Sequence, residues 1–139
     1  MSREILFRGK RLDNGKWVYG GIRIVQNRYY IIPEDSNPFG FEVDPATVGQ
    51  FTCSVDRNGK RVFECDIIGY IDTDTGETSV FGVVRWCSEG NFGINDHKWE
   101  GYNDDDSFCN VGYMLKHSRR LSIIGNIHDN PELLKGGEK

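Results

Sequence analysis

Apolar residues recur with a period of two along most of this chain, and the pattern breaks at Asn-Gly pairs. That combination constrains the fold more than any other feature. A period of two puts alternate side chains on opposite faces of a strand, whereas a helix needs apolar residues three and four apart. In EILFRGKRL, Ile5 and Phe7 alternate with Leu6 and Arg8, Asp13-Asn14-Gly15 turns the chain, and KWVYGGIRIV returns. A second hairpin is expected around Asn58-Gly59. Asn-Gly between strand-like runs predicts a two-residue type I′ turn, whose central residues both need positive φ. VQNRYYIIP reads as a further strand after a turn near Asn27. DIIGYIDTD and TSVFGVVRW read as two strands joined by DTDTGET, and LSIIGNI as a late strand.

Helical signals are few. DNPELL carries an N-cap candidate in Asp129 or Asn130, with Pro131 at the first helical position and Glu132 in the first turn. A second short helix is expected within 103–118. The predicted class is therefore all-β, with hairpins and one or two short helices. At 139 residues the chain fits a single domain, 1–139. Possible subregions are 1–46 (the N-terminal hairpin and strand) and 47–134 (the barrel-like part), with a mobile tail at 135–139.

An echo at an offset of 44 aligns Phe7, Asn14, Gly15, Lys16 and Val18 with Phe51, Asn58, Gly59, Lys60 and Val62. Shared turn chemistry explains it more simply than a duplicated hairpin. Residues 1–28 carry seven Lys/Arg against two acids, a balance of +5; residues 71–139 carry seven against twelve, a balance of −5. The net charge of −4 argues against a generally nucleic-acid-binding surface and leaves only the basic N-terminal stretch as a local candidate. No run of 18 apolar residues exists, and MSREILFRGKR lacks the apolar centre of a signal peptide, so no membrane partner is expected. Cys53, Cys65, Cys87 and Cys109 form no C-x-x-C pair and are expected as free thiols in a cytoplasm.

Three segments, REILFRGKRLDNGKWVYG, TVGQFTCSVDRNGKRVFECDIIGY and IIGNIHDNPELL, occur in an order that resembles the YopX-like family of phage and prophage proteins. The resemblance spans essentially the whole chain. It implies a small phage- or prophage-encoded protein of the bacterial cytoplasm, with an all-β fold containing an SH3-like barrel. It brings no established enzymatic activity and no catalytic residues. Two departures stand out: the family usually has Gly where this chain has Cys53 and Cys65. Two readings are open. Their side chains lie close enough to pair or to share a soft metal, or they are small residues packing in a crowded strand pair.

Chemistry-bearing clusters are weak. NDHKWEGYNDDD offers Asp96, His97, Glu100 and Asp104 to Asp106, but the spacing fits no defined metal loop and reads better as a solvated acidic loop. DTDTGET is an incomplete calcium-loop pattern that a hairpin turn explains better. His97, His117 and His128 lack a nucleophile signature, and Gly20-Gly21 opens no phosphate-cradling helix. Asp66 is expected to accept backbone N–H groups where the chain enters a strand. No enzyme activity and no cofactor are expected. Binding remains, with Arg8, Lys10, Arg11, Lys16, Trp17, Tyr19, Arg28, Tyr29 and Tyr30 as candidates for a partner surface. The first expectation is protein–protein contact, with homo-oligomers and a host or phage protein as partners. The alternative is single-stranded nucleic acid bound by the basic hairpin, and a metal-dependent hydrolase is remote.

Overall fold

The computed structural model describes residues 4–34, 38–87, 91–95, 115 and 121–136. Strands dominate it, as the alternation predicts, and they fall into two compact units, Met1–Cys53 and Ser54–Lys139.

The first unit contains β1 (Phe7–Lys10), β2 (Trp17–Val25), β3 (Arg28–Ile32), β4 (Phe41–Val43), a 3-10 turn (Pro45–Thr47) and most of β5 (Gly49–Val55). Its strands lie in the order β4-β3-β2-β1-β5, all antiparallel. β2 pairs with β1 through Trp17–Gly20 and with β3 through Gly21–Val25, so one long strand passes from one partner to the next. The two glycines sit at that handover, where a strand bends most easily. The sheet curls until β4 meets the chain just beyond β1: Arg11 bridges Val43, the Leu12 N–H donates to the Glu42 carbonyl at 3.0 Å, and the Asp44 N–H to that of Lys10 at 2.9 Å. Val18, Ile31 and Val43 form the core, with Phe7, Ile22, Tyr29, Phe41 and Val48 against them. Gly9 makes room there, since a Cβ on it would lie 2.9 Å from a Val43 methyl.

The second unit holds β6 (Arg61–Phe63), β7 (Asp66–Ile71), β8 (Thr78–Cys87), β9 (Asn91–Asn95), β10 (Ser122–Asn126) and α1 (Glu132–Gly136). Four of its strands form an antiparallel sheet in the order β10-β7-β8-β9. Val62, Ile68, Val84, Leu115 and Leu121 make its core, and Ile67 and Val83, paired on the opposite face, are fully buried too. Each such side chain contributes about 1.5–3 kcal/mol of apolar burial. Two buried carboxylates tie the backbone together. Asp56 accepts the N–H groups of Asn58 and Lys60 on Oδ1, both at 2.9 Å, and that of Ile123 on Oδ2 at 3.1 Å. Asp66, 2% exposed, accepts the Phe63 N–H at 2.8 Å.

The turns differ from the sequence expectation. Asn14 and Asn58 do not have positive φ; only their glycines do, Gly15 at 71° and Gly59 at 79°. Neither hairpin therefore closes with a type I′ pair. Arg11 and Lys16 bracket a four-residue loop, and Asp56 and Lys60 a three-residue one, each finished by its left-handed glycine. The consecutive positive-φ pair lies instead at Gln26 (49°) and Asn27 (67°), between paired Val25 and Arg28. The echo at an offset of 44 thus covers two loops of different length that share one demand, a left-handed residue before the returning strand. DTDTGET is a hairpin turn built like the first loop: the Asp72 N–H donates to Glu77, the Gly76 N–H to Asp72, and Gly76 has φ 76°.

The curled sheet described above lies within Met1–Cys53. Among the described residues the strand ladders close no barrel. The helix expected from DNPELL is α1, although the Asn130 side chain reaches back to the Asn126 N–H rather than into the helix. The second helix expected within 103–118 lies outside the described residues apart from Leu115. Among the described residues no helix is long and apolar enough to cross a membrane.

Candidate functional site

The core cluster occupies one face of the β1–β3 sheet, and the register assigns the other. Arg8 lies opposite Tyr19, Lys10 opposite Trp17, Arg23 opposite Tyr30 and Val25 opposite Arg28. Residues paired across antiparallel strands share a face, and alternation along β2 links Trp17, Tyr19, Gly21, Arg23 and Val25. Tyr30 is paired in turn with Glu42 on β4. The result is a cation–aromatic face whose paired strand positions carry four cations, Arg8, Lys10, Arg23 and Arg28, and one carboxylate, Glu42.

Side-chain geometry follows from this register. The Arg8 guanidinium lies 4.6 Å from the Trp17 ring centroid and the Lys10 ammonium 5.4 Å from it, while the Arg23 guanidinium lies 4.7 Å from the Tyr30 ring. These are attractive cation–π distances, worth about 0.5–1 kcal/mol at exposed sites. Arg23 also donates to the Phe39 carbonyl at 3.1 Å, beside a Phe39 side chain that is 71% exposed. The face opens from β1 toward β2 and β3: Arg8 keeps 5% exposure, Tyr19 46% and Val25 44%. Between Tyr19 and Arg23 lies Gly21, where an added Cβ would meet nothing within 4 Å. That position is a gap in an otherwise side-chain-covered strip.

The structure thus brings Arg8, Lys10, Trp17, Tyr19, Arg28 and Tyr30 together and separates the other candidates. Tyr29 alternates to the opposite face and packs against the core. Arg11 points the same way as Tyr29, 3.9 Å from the Phe41 ring centroid. Its guanidinium forks onto Asp13 at 2.9 and 2.6 Å, and that hydrogen bonding holds the Asp13 carboxyl below the usual Asp range. Lys16 is exposed on the first loop, where its N–H donates to the Asn14 side chain. Arg23 was missed. Counting by twos from Trp17 along β2 reaches it, so the signal was present in the alternation.

Cys53 and Cys65 are both thiols, so no disulfide joins them. Their backbones suit the glycines that the family resemblance implies at these two positions. Cys53 has φ 70° and Cys65 φ 72°, left-handed conformations in which glycine is at ease and a side chain is strained. Among the described residues no three His, Cys, Asp or Glu side chains gather in a metal-holding arrangement. Asp96, His97, Glu100 and Asp104 lie outside the described residues. In DTDTGET, Asp72 Oδ1 accepts the N–H groups of Asp74 and Thr75, which is turn chemistry.

The model of the YopX protein family matches residues 6–135. No curated protein matches the chain at a significant level. Among solved structures, the crystal structure of protein EF1440 from Enterococcus faecalis is similar, with a TM-score of 0.58 and 22% sequence identity over 96% of this chain and 99% of that one. At that identity the likeness concerns the fold. The family match covers nearly the full length, and the chain belongs to the YopX family.

Proposed function

We propose that this protein is a phage- or prophage-derived binding module without catalytic function, acting through protein–protein contacts made by the cation–aromatic face. The observation that carries this reading is the open strip of Tyr19, Gly21, Arg23 and Tyr30. Tyr, Trp and Arg are the side chains most enriched at the centres of protein interfaces, where they supply large contact areas at low entropic cost. The curled sheet supports the SH3-like reading: β1 to β4 wind back onto Arg11, a 3-10 turn follows, and β5 returns beside β1. In the second unit the buried carboxylates Asp56 and Asp66 are engaged by backbone N–H groups, which gives them structural work.

Single-stranded nucleic acid is the second reading, favoured by cations among aromatics. Base stacking needs an open ring face, however, and here Trp17 and Tyr30 already carry the protein's own cations. Fluorescence anisotropy with labelled single-stranded DNA, duplex DNA and RNA separates the two. The protein-contact reading expects no saturable binding at physiological salt. Tight, saturable binding to any of the three that disappears in Lys10→Glu and Arg23→Glu would replace it with the nucleic-acid reading.

A further inference from the structure

The face has a charge-matched counterpart on the same molecule. The β7–β8 turn carries Asp72, Asp74 and Glu77; Asp74 and Glu77 are exposed, and Ile71 at its base is 59% exposed. Asp72 is committed to the turn's own N–H groups, which fixes the loop and leaves Asp74 and Glu77 at its surface. The same polarity runs through the whole sequence, +5 over residues 1–28 and −5 over residues 71–139.

We propose that the cation–aromatic face docks the acidic β7–β8 turn of a second copy of this chain, so that copies associate head to tail. The inference rests on the reading of that face as a protein-binding surface and names its occupant. Charge decides the geometry. Two copies meeting face to face by a two-fold axis would bring the guanidiniums of Arg23 and Arg28 against a second copy of the same mostly cationic surface, a like-charge contact that costs stability. A heterologous contact sets those guanidiniums against Asp74 and Glu77. Gly21 puts no side chain between Tyr19 and Arg23, so the turn can approach the strand there, and exposed Ile71 and Tyr19 supply apolar area beside the ion pairs. A six-residue turn on such a strip covers less than the roughly 800 Å² per partner of a standard stable interface. Association is therefore weak, concentration-dependent and salt-sensitive, and it closes as a ring or continues as a chain.

Sedimentation velocity on the purified full-length protein tests this with two charge-reversed variants. In one the face is reversed, Arg23→Glu with Arg28→Glu; in the other the turn is reversed, Asp74→Lys with Glu77→Lys. The wild type is expected to associate with rising concentration and to dissociate as salt is added. Each variant alone is expected to stay monomeric, because face and turn then carry the same sign. An equimolar mixture of the two is expected to associate again, since both contacts regain opposite charges. Because Arg23 also packs on Tyr30, Arg28→Glu alone and Gly21→Leu serve as variants that leave those contacts in place, and both are expected to weaken association at unchanged thermal stability. A wild type that stays monomeric at the highest concentration overturns the inference while leaving the face open to a different protein. So does association that ignores the reversals, or a mixture that remains monomeric.

Discussion

Single residues carry the clearest physical statements in this molecule. Cys53 and Cys65 hold left-handed backbones at 70° and 72°, a conformation that costs a side chain roughly 1–2 kcal/mol. Replacing Cys53 with glycine removes that strain and restores about 0.4–1 kcal/mol of unfolded-chain freedom. Cys53→Gly is accordingly expected to raise stability by about 0.5–1 kcal/mol, and Cys53→Val to lower it, as read from urea midpoints. A glycine variant less stable than the wild type would contradict the strain argument. Asp56 works in the opposite sense. Its carboxylate accepts three N–H groups in a site 5% exposed, so Asp56→Ala leaves buried donors unmatched and is expected to cost roughly 2–4 kcal/mol. Asp56→Asn keeps one acceptor, turns an amide N–H₂ toward Ile123 and falls between the two. If the alanine variant unfolds with the wild type, the three bonds are not holding the turn to β10. The sequence disclosed Asp66 because it stands at a strand entrance. It did not disclose Asp56, because the bond to Ile123 spans 67 positions and leaves no local trace.

Elements were legible where local physics decides them and obscure where packing does. Alternation predicted β1 to β3, β5 to β8 and β10, and DNPELL predicted α1, but β4 and β9 were not among the strands expected. The turn class was misread because Asn-Gly specifies a left-handed glycine without fixing loop length, and loop length depends on where Arg11 meets Lys16 and Asp56 meets Lys60. Glycine pairs were equally ambiguous. Gly20 and Gly21 look alike in the sequence, yet a Cβ on Gly20 would lie 2.1 Å from the Ile32 carbonyl oxygen while one on Gly21 meets nothing. Gly20→Ala must move backbone and is expected to cost about 1–3 kcal/mol, as overpacked sites do. Gly21→Ala is expected to change stability by less than about 0.5 kcal/mol, the usual range for surface sites. Thermal unfolding of both variants checks this, and equal destabilisation would mean that the face is closed over Gly21.

At the scale of the whole molecule, family and class were legible and the working surface was only half so. Three ordered motifs identified the YopX family, and the match over residues 6–135 agrees. Charge and aromatic content pointed to the first hairpins, but a list of cations and rings cannot say which share a face. Register does that: it removes Tyr29 and Arg11, adds Arg23, and exposes the gap at Gly21. The central claim is that this strip of Tyr19, Gly21, Arg23 and Tyr30 is where another protein binds. The most direct measurement places a photo-reactive phenylalanine analogue at position 19, in place of the exposed Tyr19 ring, and irradiates cells producing the protein. A protein cross-link that forms at position 19, and not from the same group at Gly59, is the predicted result. Cross-linking to nucleic acid alone, or none at position 19 with the protein folded, would contradict it.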